Sequence, residues 1–99
     1  MGIRDAAAVT DQPVRIWTPP ARYPDRLRNA GIEGRVVVGF VIDTTGRIEP
    51  ASVRVLATSH PDFGPPTVEI VLSSRFWPAL IVGRKTRVWV AQGRLGEAL

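Results

Sequence analysis

The sequence predicts an α+β domain: a three-stranded antiparallel sheet with two helices packed on one face, in the order helix, strand, strand, helix, strand, and with an extra N-terminal segment available to the sheet edge. Three observations carry that prediction. The run Val36-Val37-Val38-Gly39-Phe40-Val41-Ile42 is rich in β-branched residues and leads into the turn residues Asp43-Thr44-Thr45-Gly46. Two windows with helical apolar spacing flank that hairpin, each opened by proline. The stretch TRVWVAQ, Thr86 to Gln92, alternates as a last strand should.

Residues 1–11 show no periodicity, and Ala6-Ala7-Ala8-Val9 is too short to hold a helix in water, so a loosely held tail is expected. Pro13, Pro19 and Pro20 bracket Val14-Arg15-Ile16-Trp17, which reads as an extended segment able to add an edge strand or lie along the domain. Trp17 fits packing over the core rim, or stacking on a ligand. Pro24 suits a first helical turn, with Asp25 near the positive end of the dipole. Leu27, Ala30 and Ile32 then form a narrow apolar stripe, Arg26, Arg28 and Asn29 face water, and Gly31 and Gly34 break the chain before the strand.

In that strand, Arg35 to Asp43, both faces are apolar: Val36, Val38, Phe40 and Ile42 on one, Val37, Gly39 and Val41 on the other. Gly39 leaves room for a close neighbour, and Gly46 is free to take a positive φ in a tight turn. The second strand, Arg47 to Thr58, changes parity between Ile48 and Val53 or Val55, so a bulge near Pro50-Ala51-Ser52 is expected.

Ser59 to Pro65 is a loop anchored by Phe63. Pro65-Pro66 opens the second helix, with Val68, Val71, Leu72 and Phe76 on its apolar spacing and Glu69, Ser73 and Ser74 facing out. That helix stops before Pro78, Phe76 to Leu80 makes an extended junction, and Gly83-Arg84-Lys85 makes a second turn. In the last strand Val88 and Val90 share one face, and Arg87, Trp89 and Ala91 the other. The expected organisation is an extended or flexible segment over 1–19, one folded domain over 20–92 and a tail over 93–99. A chain of 99 residues has room for one core only.

Composition narrows the chemistry. Of 13 cations 12 are arginine, spread along the chain from Arg4 to Arg94, which favours solubility over a phosphate-binding track despite the net charge of +4. The absence of cysteine excludes disulfides, thiolate metal sites and cysteine nucleophiles. His60 is the single histidine, which excludes a histidine metal cluster. Ser59-His60 with Asp62 contains the letters of a hydrolase triad, but three near neighbours in one loop rarely supply its geometry. Gly31-Ile32-Glu33-Gly34 fits neither phosphate-loop pattern. These residues thus predict no enzyme, no cofactor and no metal. Arg35 to Phe40 resembles an RNA-binding signature only loosely, which keeps a nucleic-acid-binding α+β domain as the alternative class. Met1 to Thr10 lacks an apolar stretch long enough for a signal peptide, so if the protein works outside the cytoplasm its targeting segment is expected to lie outside this sequence.

Tyr23-Pro24, Gly31, Glu33-Gly34-Arg35-Val36, Phe40-Val41-Ile42-Asp43 and Gly46-Arg47-Ile48 are followed by Arg75-Phe76-Trp77-Pro78-Ala79 and a closing strand. In this order and spacing, from about Ala21 to Gln92, they resemble the TonB C-terminal domain family. The resemblance implies a periplasmic energy-transducing module, tethered to the inner membrane by an anchor and a proline-rich linker that this chain lacks. It implies that a short N-terminal peptide of an outer-membrane transporter adds as a strand to the last strand, at Thr86, Arg87, Val88, Trp89, Val90, Ala91 and Gln92. Arg22, Tyr23 and Arg26 match the region that family members place near that peptide, although a solvated surface fits those arginines equally. Pulling on the peptide then couples the inner-membrane proton-motive complex to transport. The same fold also occurs appended to membrane sensors and peptidases, where the partner differs. Open sheet edges add an expectation of strand exchange between two copies.

Overall fold

The β-branched run at the centre of the sequence forms the central strand of the molecule. A computed structural model describes residues 2–19 and 34–96. Its strands are β1 (Arg4–Asp5), β2 (Val14–Trp17), β3 (Gly34–Ile42), β4 (Arg54–Thr58), β5 (Arg75–Trp77), β6 (Ala79–Ile81), β7 (Arg84–Thr86) and β8 (Val88–Gly96). One α-helix, α1 (Gly64–Ser73), lies between β4 and β5, and single 3-10 turns form at Ala6–Ala8, Pro50–Ser52 and Pro61–Phe63. The main sheet has the order β1-β8-β3-β4, and two smaller ladders pair β2 with β5 and β6 with β7. The α+β class stands, but the three-stranded sheet expected from sequence is corrected to four strands with two added ladders. Of the two expected helices, one is present among the described residues, and the one opening at Pro24 lies outside them.

Val36, Val38, Phe40 and Ile42 lie on the buried face of β3, as their alternation requires, and meet Ile48, Phe63, Val71, Phe76, Ala79 and Val88 in one core. The buried stripe of α1 is Thr67, Ile70 and Val71, with Gly64, whereas Leu72 is 39% exposed and Val68 half-buried. The expected stripe is therefore shifted by one residue. Two hydroxyls make that shift affordable: Thr67 Oγ1 donates to Phe63 O at 2.8 Å and Ser74 Oγ to Ile70 O at 2.7 Å, so neither brings an unbonded polar group inward.

The turn after β3 is closed by Asp43, whose Oδ1 accepts from Thr45 N, Thr45 Oγ1 and Arg47 N. Gly46 then takes φ +86°, and its carbonyl accepts from Phe76 N at 3.0 Å. A Cβ on Gly46 would stand 1.8 Å from Phe76 O, so only glycine lets β5 cross the turn this closely. Beyond the turn, only Ile48 bridges to Ile42 before the 3-10 turn at Pro50–Ser52. The bulge expected near Pro50 falls instead at Leu56, between the pairs Val37–Ala57 and Val38–Val55. The 3-10 turn absorbs the parity slip, because Ser52 Oγ donates to Glu49 O and accepts from Val41 N and so keeps β3 satisfied there.

The N-terminal stretch, which the sequence presents as a loose tail over 1–11 and an extended segment at Val14 to Trp17, pairs in three places, the last as that extended segment requires. Arg4 and Asp5 run parallel to Val88 and Trp89, Thr10 and Asp11 bond Leu80, and β2 lies antiparallel to β5 with a shift near Ile16. The β6–β7 turn is Val82-Gly83, both at positive φ, one residue earlier than expected.

Candidate strand-addition edge

Backbone alternation decides which strand groups can receive a partner. Along β3 the odd residues turn toward β4: Val41 O accepts from Glu49 N, Val41 N donates to Ser52 Oγ, and Arg35 O accepts from Ser59 N. The even residues therefore bond β8, whose facing residues are Val88, Val90, Gln92, Arg94 and Gly96. It follows that Trp89, Ala91, Gly93 and Leu95 turn their N–H and C=O groups away from β3. Arg87 continues the series, since its carbonyl accepts from Arg4 N at 3.0 Å. Strand β1 covers that outer side at Val88 and Trp89 only. Beyond Trp89, no described residue pairs with the outer side of β8.

The residues expected to line this edge separate into groups. Thr86 is buried and belongs to the β6–β7 ladder opposite Ala79, so the strand expected to run from Thr86 is broken at Arg87. Val88 is fully buried and Val90 packs against the core, which anchors the strand from below. Trp89 lies on the opposite face, over Gly39: a Cβ built there would stand 2.3 Å from Trp89 Cζ2. Ala91 is exposed on that same face. Gln92 accepts a hydrogen bond at Oε1 from Arg15 Nη2 at 2.7 Å, which ties the end of the ladder to β2. Arg22, Tyr23 and Arg26 lie outside the described residues.

Arg87 is held rather than extended toward a partner. Its Nε and Nη2 donate to Glu49 Oε2 and Oε1, each at 2.6 Å. Those bonds hold the Glu49 carboxyl below its ordinary value of 4.5 and push the guanidinium upward. Arg15 also stacks its guanidinium 5.8 Å above the Phe76 ring. Arg54 folds back on its own backbone, donating to Ala51 O and Val53 O. These cations are each committed locally and do not line a common track.

The loop with triad letters is likewise occupied by backbone. Ser59 Oγ accepts from Arg35 N at 2.9 Å, and His60 Nδ1 accepts from Asp62 N at 3.1 Å, capping the 3-10 turn at Pro61–Phe63. Trp17 is 53% exposed on β2, away from the rim packing expected of it. Among the described residues no helix is long and apolar enough to cross a membrane, and no three His, Cys, Asp or Glu side chains gather as metal ligands. Sequence reasoning missed the Arg4–Asp5 pairing, the Arg15–Gln92 bond and the Glu49–Arg87 pair. The first has no periodic signal, and the other two join residues far apart in the chain.

Comparison with known proteins agrees with the α+β fold. The solution NMR structure of the Pseudomonas aeruginosa TonB CTD is 26% identical, with 89% of this chain and 87% of that chain covered at a TM-score of 0.72. No curated protein matches. The model of the Gram-negative bacterial TonB protein C-terminal family matches residues 19–94, which include the Gly46 turn, the Phe76 strand bonded to it, and most of β8. The chain belongs to the TonB C-terminal family.

Proposed function

We propose that this domain is a non-enzymatic periplasmic interaction module. It takes a short N-terminal peptide of an outer-membrane transporter as an added strand along β8, and through an inner-membrane tether couples proton-motive force to transport. The observation that carries the proposal is the outer side of β8 beyond Trp89, where Ala91, Gly93 and Leu95 face away from β3 with no described partner. Strand addition suits such an edge because backbone bonds supply the affinity and leave the guest sequence variable. Each added hydrogen bond contributes about 0.5–1.5 kcal/mol net, so three outward residues give a modest, reversible grip. Arg22, Tyr23 and Arg26 are proposed as further side-chain contacts to the guest.

The test is to titrate synthetic N-terminal peptides of the transporters encoded by the same bacterium into isotope-labelled protein. Amide shifts are expected from residue 90 to residue 96 and at Arg15. Ala91→Pro removes one outward N–H and spares the β3 ladder, so the fold is expected to persist while binding weakens about tenfold. Shifts centred on β4, or unaltered binding by Ala91→Pro, would refute the proposal.

A further inference from the structure

We infer that β1 is an internal occupant of the guest edge: Arg4 and Asp5 hold the stretch at Val88 and Trp89, and a guest strand reaches that stretch by displacing them. This inference rests on the strand-addition reading above.

The contacts divide the N-terminal segment sharply into a light part and an anchored part. Strand β1 has two residues, both exposed, and Ile3 ahead of it is half exposed. Its pairing with β8 includes the bond from Arg4 N to Arg87 O at 3.0 Å. Behind it, Ala6 and Val9 pack against the core. Thr10 N, Thr10 Oγ1 and Asp11 N all donate to Leu80 O, Leu80 N donates to Asp11 O, and Val82 N donates to Thr10 Oγ1. Release of Gly2 to Asp5 therefore leaves the rest of the segment fixed, and the displaced strand stays tethered beside the edge it left.

The exchange favours a guest of sufficient length. Confined beyond Trp89, a guest meets three outward residues, Ala91, Gly93 and Leu95, the last two near the end of the strand. Displacing β1 adds the outward groups of Arg87 and Trp89, at the end of the ladder where Val88 is fully buried and paired with the buried Ile42. Those groups flank the residue that anchors the strand in the core. What is lost is a two-residue pairing, so β1 acts as a low threshold: it hides the stretch from Arg87 to Trp89 from weak or short partners, which are left the open groups beyond it, and yields to a strand that can use the full length.

The test uses the full chain carrying Arg4→Pro, which removes the donor to Arg87 O at an exposed position. Its thermal midpoint is expected within a few degrees of the wild type. Its affinity for the transporter N-terminal peptides is expected to be about 2- to 10-fold higher, the wild-type edge being fractionally closed by β1. In the wild type, adding those peptides is expected to strip hydrogen-exchange protection from the Arg4 amide while the Asp11 amide keeps it. Peptide binding with the Arg4 amide still protected and Arg4→Pro affinity unchanged overturns the inference and leaves strand addition intact, β1 then being a fixed stop. A flat titration of both proteins overturns the inference together with the reading it rests on.

Discussion

Replacing Gly46 by alanine tests whether the β3–β4 turn and strand β5 form one joint. Gly46 has φ +86°, and an added Cβ would meet Phe76 O at 1.8 Å, a backbone atom that cannot rotate away. The left-handed backbone costs about 1–2 kcal/mol for a residue with a Cβ. Forcing the turn and β5 apart costs about 1–3 kcal/mol more as overpacking. Weakening the Phe76 N to Gly46 O bond adds about 0.5–1.5 kcal/mol. The sum, roughly 2.5–6.5 kcal/mol, is a large part of the stability of a small domain, on the order of 5–15 kcal/mol. Gly83→Ala is the matched control, because its φ of +77° is similar but nothing lies within 4 Å of its Cβ position. It carries the backbone term alone. At about 4–8 °C per kcal/mol, thermal melts should fall by roughly 4–16 °C for Gly83→Ala, and far enough for Gly46→Ala to leave little folded protein at 37 °C. Equal shifts for the two variants would refute the joint.

Three further outcomes follow from single contacts. Gly39→Ala pushes on Trp89 Cζ2, 2.3 Å from the built Cβ, and should destabilise by about 1–3 kcal/mol in urea unfolding; in a Trp89→Ala background that cost should largely vanish, and additivity would disprove the contact. Val82 sits at φ 48° and is 82% exposed, so Val82→Asn relieves backbone strain without losing packing and should raise the thermal midpoint by roughly 4–8 °C. Burial would push the Asp43 carboxyl up, but hydrogen bonds from Thr45 and Arg47 and the Arg47 charge together hold it below its ordinary 3.8, as the Arg87 bonds hold Glu49 below 4.5. Both groups bind fewer protons folded than unfolded, so their stabilisation is present above those ordinary values and lost as pH falls through the lowered ones. Thermal melts from about pH 5 to about pH 2 should therefore drop more steeply for the wild type than for Asp43→Asn/Glu49→Gln, and parallel curves would count against both carboxylates.

The central hairpin was legible because its signals are local and agree with one another. Alternation placed Val36 to Ile42, Gly39 announced a close neighbour that proves to be Trp89, and Gly46 announced its positive φ. The motif residues near Gly46 and near Phe76 stand about thirty positions apart in sequence, and the hydrogen bond between them gives the spacing a physical meaning. What sequence could not show is fixed by long-range contact. Arg4 and Asp5 carry no period, and both their pairing and the pinning of Thr10 and Asp11 to Leu80 join residues about seventy or more positions apart. The α1 stripe was misplaced because Thr67 and Ser74 look outward-facing by composition, and only their bonds to Phe63 O and Ile70 O make them core residues.

The outer sides of β4 and β8 are built differently, and the difference favours β8, beyond the two residues that β1 covers, as the place for a guest. Strand β4 pairs only with β3 among the described residues, yet its border is short and irregular. It follows a proline-led 3-10 turn, bulges at Leu56, and begins at Arg54, whose guanidinium folds over the carbonyls of Ala51 and Val53. Charge, bulge and brevity are the devices that keep an edge from pairing with other chains. Strand β8 carries none of them between Val88 and Gln92: it has no proline, no register shift and an unbroken nine-pair ladder with β3 behind it. An unprotected edge of that length invites promiscuous pairing unless something covers it. The chain meets that hazard with the two residues of β1, enough to shorten the bare edge and too few to close it.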